Sequence, residues 1–334
     1  MAREPLKVGV LGAGAMAAVH FANLASCERA TVVGFAANVV SKEVEILSRR
    51  IAAERMTVDQ LLAPGLIDAV VIATPTDTHA DLACRAMDAG MSVFCEKPVA
   101  RSREEGKRVA DVAASTHARV AIGHDLRYAP EYDDARRYIV DGLLGEVATV
   151  RMFRVNVSPA NVKPWYGEAS RSGGPLFDMA IHDLDWCLWA LGPIRRVYAR
   201  QSGPAGKEVA SIVLRHDCGT IAYVDTSWRD SRLMSGLEVC GTEGIYRVSA
   251  SSDAGLQVVR GEQEVPASYL PTGVSDVPPW DDPYRMELEA AMAWFDGGPE
   301  PRAVLADGLA VLAVVTAAEE SIRKGTPVEV KETT

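Results

Sequence analysis

Asp178 and His182 stand four positions apart in Gly173-Gly-Pro-Leu-Phe-Asp-Met-Ala-Ile-His-Asp-Leu-Asp-Trp-Cys-Leu-Trp-Ala-Leu-Gly192. Read as a helix, the stretch puts both side chains on one face, which Asp185 and Trp189 continue. A carboxylate one turn before a histidine can hold one ring nitrogen and leave the other to move a proton. An unperturbed imidazole pKa of about 6.5 suits that work near neutral pH. Met179, Ile181, Leu184 and Leu188 in the same turns indicate burial, so the pair is more than a charged surface. Lys97 is the complement. It ends the apolar run Ser92-Val-Phe-Cys-Glu-Lys-Pro98, where an ammonium could meet a substrate oxygen and favour developing negative charge. From these residues alone, a lysine at a surface strand end is an equal alternative.

The elements that must carry these groups are strand–helix repeats followed by a different kind of chain. Lys7-Val-Gly-Val-Leu11 reads as a strand, then Gly12-Ala13-Gly14-Ala15-Met16-Ala17 as a tight turn entering a helix that runs to Cys27. This is the dinucleotide fingerprint with alanine last: Gly12 permits the turn, Gly14 lets backbone approach a pyrophosphate, and Ala17 allows close helix packing. The helix N-terminus offers N–H groups to phosphate. Ala30 to Ala36 is the second strand. Its end reads Ala36-Ala37-Asn38, with no carboxylate to select NAD against NADP, while Asn38, Ser41 and Lys42 are within reach of a 2′-phosphate. Asp68 to Ala73 is a further strand, leaving Thr74, Pro75 and His79 at the crevice edge as nicotinamide-ribose contacts; Thr78 is a helix cap in the alternative reading. A sixth strand, Arg119 to Gly123, closes a doubly wound sheet and delivers His124-Asp-Leu-Arg127 to the same edge.

After Gly145 the pattern changes to alternating valine- and threonine-rich strands at 147–157, 208–214, 219–227, 237–240 and 245–248, an open, mainly antiparallel sheet. Helices follow at about 283–295 and 305–324. The expectation is an α/β protein with a Rossmann dinucleotide domain over 1–125 and an α+β substrate-binding and oligomerisation domain over 126–334, the last helices packing back on the first domain. The loop 265–283 is a candidate flank of the site or a partner contact.

With 334 residues and a net charge of −10 carrying no basic block, the chain shows no electrostatic footprint for nucleic acid or anionic membrane. No apolar run approaches the ~20 residues of a membrane span, and no signal region opens the chain, so the cytoplasm is expected. The six cysteines lie scattered in apolar segments, reading as core residues rather than disulfides or a metal site; no metal is expected.

Gly12-Ala-Gly-Ala-Met-Ala17, Glu96-Lys97-Pro98 and Gly173 to Asp183, in this order and at these separations, resemble the glucose-fructose oxidoreductase/inositol dehydrogenase/rhizopine catabolism (Gfo/Idh/MocA) family over essentially the whole chain. The resemblance implies that Lys97, Asp178 and His182 are catalytic, that the peptide bond before Pro98 is cis, and that Glu96, Lys97 and Pro98 join the NAD or NADP contacts. It places His124, Arg127, Trp165 and Tyr166 on the substrate side with Lys97, Asp178 and His182. Arg127, Tyr128 and Pro130 match the inositol dehydrogenase segment after the sixth strand, whereas His124, Leu126 and Ala129 depart from it. Tyr166 departs from the Trp-Arg that relatives carry. The implied reaction is hydride transfer between a carbinol carbon of a polyhydroxylated small molecule (cyclitol, sugar, aminosugar or nucleotide-sugar) and nicotinamide, in a homodimer or homotetramer built on the C-terminal sheet, a surface assigned Trp228. An NAD-dependent glycoside hydrolase with internally recycled cofactor and a non-catalytic NAD(P)-sensing protein are the alternatives.

Overall fold

The computed structural model describes residues 4–249, 256–260, 263–265 and 282–331; most of the loop 265–283 lies outside them. The chain forms two compact units. One comprises 1–128 and 282–309 with the last two residues, the other 129–281 and 310–332. The chain passes between the two units after residues 128, 281, 309 and 332.

In the first unit six parallel strands lie in the order β3-β2-β1-β4-β5-β6. They are β1 (Leu6–Leu11), β2 (Ala30–Ala36), β3 (Glu54–Arg55), β4 (Ala69–Ile72), β5 (Ser92–Glu96) and β6 (Val120–Gly123). The reversal of strand order between β1 and β4 opens the crevice where this architecture binds nucleotides. Strands β4 and β6 are buried at every position, as near-continuous apolar runs of a sheet covered on both faces must be. The helices are α1 (Ala15–Ser26), α2 (Lys42–Arg50), α3 (Val58–Leu61), α4 (His79–Asp88), α5 (Arg103–Thr116) and, from the returning chain, α9 (Pro283–Phe295). Phe21 of α1 meets Phe35 of β2 edge to face at 5.6 Å, a pairing worth about 0.5–1.5 kcal/mol beyond the area it buries. Leu288, Ala291 and Met292 of α9 join the same core.

The second unit is built on a nine-stranded sheet ordered β14-β13-β12-β11-β7-β10-β9-β8-β15. Its strands are β7 (Val147–Val157), β8 (Ile194–Ser202), β9 (Val209–His216), β10 (Ile221–Ser227), β11 (Arg229–Gly241), β12 (Gly244–Ser249), β13 (Leu256–Arg260), β14 (Gln263–Val265) and β15 (Val328–Glu329). All pairs are antiparallel except β10 with β7. Strand β8 has no counterpart in the sequence reading because Ile194-Arg-Arg-Val-Tyr-Ala-Arg-Gln-Ser202 lacks a clean apolar alternation, with two adjacent exposed arginines. Val150, Met152, Ile212, Leu214, Ala222 and Val224 face inward, under α6 (Pro130–Val140) and α8 (Ile181–Leu191); α7 (Ala169–Ser172) and the first part of 310–332, which continues α10 (Leu305–Lys324), complete the unit. Arg151, Tyr223 and Asp225 lie on the exposed face. Trp228 does not: it is 1 % exposed, so the oligomer surface assigned to it is corrected to a core position.

Four cysteines are buried, and burial pushes the thiols of Cys95 and Cys187 well above their ordinary range. Thiols held protonated this way behave as core residues rather than nucleophiles.

Candidate active site

Gly12 has a φ of +109°, and a Cβ there would lie 2.3 Å from the carbonyl oxygen of Ala73. Only glycine permits this turn, which seats the end of β1 against the end of β4, next to Thr74. Gly14 stands at the N-cap of α1 with extended backbone and no side chain capping the helix. The first-turn N–H groups are thus left for an anion, with the axial dipole behind them. Ala13 and Ala17 are buried, Gly14 and Met16 half-buried and Ala15 exposed. This is a cradle that fits a dinucleotide pyrophosphate.

At the far end of β2, Ala37 is half-buried and Asn38 exposed. The Ser41 hydroxyl is committed to capping α2, accepting from the Val44 N–H. Sequence reasoning missed Arg55 on β3, whose Nη2 donates to the carbonyl oxygens of Ala37 (3.0 Å) and Asn38 (3.3 Å). Only the pairing of β2 with β3 brings it there.

Thr74 and Pro75 are half-buried at the end of β4, and the Thr78 hydroxyl donates to this turn, reaching Thr74 Oγ1 and the Pro75 carbonyl oxygen at 2.7 Å each instead of capping α4. His79 requires correction as a ribose contact. It is buried, with Nδ1 2.8 Å from the Pro98 carbonyl oxygen and Nε2 2.9 Å from that of Thr74. Both ring nitrogens serve the backbone, so the imidazole ties the β4 turn to the β5 turn.

From Val93 to Ala100 every residue is buried except Lys97. The Lys97–Pro98 peptide bond is cis. Glu96 also needs correction: its carboxylate is turned inward, where Oε1 accepts from His20 Nε2 at 2.6 Å. Burial alone would raise its pKa, but the His20 hydrogen bond and the charges of His20 and Lys97 outweigh that and hold it below the usual range. Nor do His124 and Arg127, after β6, present side chains outward. His124 is 1 % exposed. Arg127 is equally buried, forming an ion pair with Asp307 at 3.0 Å and donating to the Arg302 carbonyl oxygen. A guanidinium so committed locks the returning segment 302–307 onto the first unit, and its substrate role is withdrawn.

In the second unit the expected helix from Gly173 begins later. Gly173 and Gly174 have φ of +74° and +66°, and a Cβ on Gly173 would lie 2.5 Å from Phe177. A π-turn over Leu176–Ala180 follows and α8 starts at Ile181; single π-turns within helices are frequent at functional sites. From Gly174 to Cys187 every residue is buried except Asp178 and His182. Asp185 is buried rather than part of an open stripe. Asp183, which the sequence offered no reason to single out, receives Arg154 Nε and Nη2 at 3.1 and 3.0 Å. Arg154 also donates to the Tyr132 hydroxyl at 3.2 Å, whose pKa burial pushes up to about 12. Trp165 and Tyr166, both half-buried, stack at 3.9 Å, and Tyr166 meets the edge of Trp228 at 5.8 Å.

A nucleotide cradle behind a parallel sheet, a lysine singled out at a strand end and an Asp–His pair singled out on a helix define an NAD(P)-dependent oxidoreductase acting on CH–OH groups. Residues 6–124 match the oxidoreductase family with an NAD-binding Rossmann fold, and residues 132–247 match the GFO/IDH/MocA C-terminal domain. The chain belongs to the Gfo/Idh/MocA family. It is 30 % identical over 333 residues to inositol 2-dehydrogenase of Rhizobium meliloti (strain 1021), covering 95 % of this chain and 97 % of that one. It is 28 % identical to 1,5-anhydro-D-fructose reductase of Ensifer adhaerens, covering 82 % and 83 %. Among solved structures it is similar to GenD2 from gentamicin A biosynthesis in complex with NAD, with a TM-score of 0.84, 27 % identity and coverage of 98 % and 97 %.

Proposed function

We propose that this protein transfers a hydride between nicotinamide and a ring carbinol or ketone of a cyclitol or sugar-like substrate. The observation that carries the reading is selective exposure: Lys97, Asp178 and His182 are the only residues of their segments not buried. Each is a proton-transferring or charged group at the open position of an otherwise buried run, where a ligand can reach it. Relatives named for inositol and 1,5-anhydro-D-fructose support the substrate class. When bound, the nicotinamide ring supplies the hydride chemistry. The α1 N-terminus and the Gly12–Met16 turn bind its diphosphate, and Thr74 and Pro75 border its ribose. His182 takes the hydroxyl proton on oxidation and returns it on reduction, Asp178 orients the imidazole, and the Lys97 ammonium donates to the reacting oxygen. Trp165 and Tyr166 offer the ring a face.

The test is the change in nicotinamide absorbance on mixing purified protein, NAD or NADP in parallel, and a panel of cyclitols, sugars, aminosugars and nucleotide-sugars. Turnover with one polyol establishes the reading. No redox turnover, with an aglycone released from a glycoside while cofactor stays bound, replaces it with the recycled-cofactor hydrolase.

The same reading extends to the choice of nucleotide. With no acid at positions 36–38 and Arg55 anchored beside them, the ribose end admits NADP as well as NAD. Arg55→Ala is expected to weaken NADPH binding about tenfold and leave NADH within about twofold, the worth of one exposed charge-assisted contact; fluorescence titration of both cofactors reads it. Association into a homodimer or homotetramer through the exposed sheet face is part of the proposal, with Tyr223 as an apolar contribution and light scattering as its check.

A further inference from the structure

Behind the Lys97 turn, and within the first unit, lies a group of acids that the proposed reaction does not use. Glu287 of α9 is 2 % exposed, and among the described residues neither carboxyl oxygen has a hydrogen-bond partner. A carboxylate in that position would be a bare buried charge, which proteins avoid by holding the proton. Its surroundings deepen the problem. Glu287 faces Glu96 at the end of β5, Asp125 in the turn after β6 and Asp282 at the start of its own helix, and it lies near enough to Tyr128 to act on the phenol. Glu96 in turn faces His20 of α1, Lys97 and Asp125, and its carboxyl group lies within 3.3 Å of where a Cβ on Gly123 would stand. Both glutamates are buried, at 2 % and 7 % exposure, so water does little to screen the repulsion between them.

We propose that Glu287 is a positioning residue kept as a neutral carboxylic acid, so that Glu96 bears its charge for His20 and Lys97 with no second glutamate anion against it. The inference rests on the oxidoreductase reading of Lys97. Two environments have moved a pair of like groups in opposite directions: burial first, and then the charges of Glu96 and Asp125, raise Glu287 well above the carboxylate range, while Glu96 is held low. Such divergence is how proteins assign one acid and one anion to a pair. If Glu287 ionised, the new charge would compete with Glu96 for His20 and Lys97 and loosen the turn on which Lys97 sits.

The sign of the consequence follows. A group whose pKa is raised by folding contributes stability that is fully present below its unfolded value and is lost as pH rises toward the folded value. Glu287→Gln keeps size and polarity and removes the proton. Urea unfolding of wild type and variant between about pH 5 and pH 8 is expected to show the ratio of their unfolding constants shifting toward the variant by up to about tenfold per pH unit, one proton's worth. In parallel, NMR of isotope-labelled glutamate carboxyl carbons should show one resonance, missing in Glu287→Gln, that stays at the protonated position near neutral pH. With a substrate in hand, the alkaline limb of the kcat profile should move to higher pH in the variant. Parallel stability curves, or a Glu287 resonance titrating in the ordinary carboxylate range, would overturn the proposal. The stability and NMR measurements need no turnover, so failure of the oxidoreductase reading shows as an inactive substrate panel and leaves them to decide on Glu287 independently. Unmoved kcat limbs in an active enzyme would overturn the positioning role itself.

Discussion

His182→Ala should lower turnover by about two to four orders of magnitude, the usual worth of a positioned general acid–base group, while cofactor affinity stays within about twofold. The separation follows from where the residues sit. The glycine turn, the uncapped α1 N-terminus and Thr74 all belong to the first unit, whereas His182 lies on α8 of the second. Lys97→Ala should cost a comparable factor in kcat. Asp178→Asn should cost less than His182→Ala, because the imidazole remains and only its orientation and charge support are weakened. Pre-steady-state reduction of bound cofactor, measured beside cofactor titration, distinguishes lost chemistry from lost binding. Near-normal turnover in both His182→Ala and Lys97→Ala would remove the mechanism.

The second large effect falls one residue away and on a different property. Asp183 is fully buried and Arg154 half-buried, joined by a two-pronged contact. Asp183→Ala takes the two-pronged carboxylate away from the Arg154 guanidinium, and the expected loss is about 3–5 kcal/mol. The pair itself need contribute little, since desolvation offsets much of the attraction between buried charges. Asp183→Leu combined with Arg154→Met should therefore recover most of the lost stability. Urea midpoints of the single and double variants check this, and a double variant no more stable than Asp183→Ala would show that the pair carries net stabilisation. Activity should fall in the single variant as well, because Asp183 anchors the turn that presents His182.

Residues close together in sequence told most of what could be read without coordinates. The Gly12–Ala17 turn is dictated by backbone sterics over a few positions, and Gly12 takes the positive φ that only glycine tolerates. The apolar runs that became β1, β2, β4, β5 and β6 carry the signature of buried parallel strands in their own composition. Asp178 and His182 were recognisable because four residues return to one face on a helix, and a π-turn between them did not undo this: both remain the open positions of their segment. Lys97 stood out as the charge ending an apolar strand.

What the tertiary structure decided was the direction each remaining polar group faces. His79, Glu96, His124 and Arg127 lie beside the expected crevice in sequence, yet their side chains turn inward, to partners or walls supplied by distant chain. Glu96 finds His20, Arg127 finds Asp307, and Glu287 is brought behind β5 by a helix that returns from the far end of the chain. Arg55 reaches Ala37 and Asn38 only through an edge strand of two residues, too short to announce itself. Of the three acids Asp178, Asp183 and Asp185, similar in local sequence, the fold exposes one and buries two. Spacing along a strand or helix is set by local covalent geometry and can be counted in the sequence. Whether a charge is met by water, a substrate or a buried partner depends on contacts between residues far apart in the chain, and those exist only once it has folded.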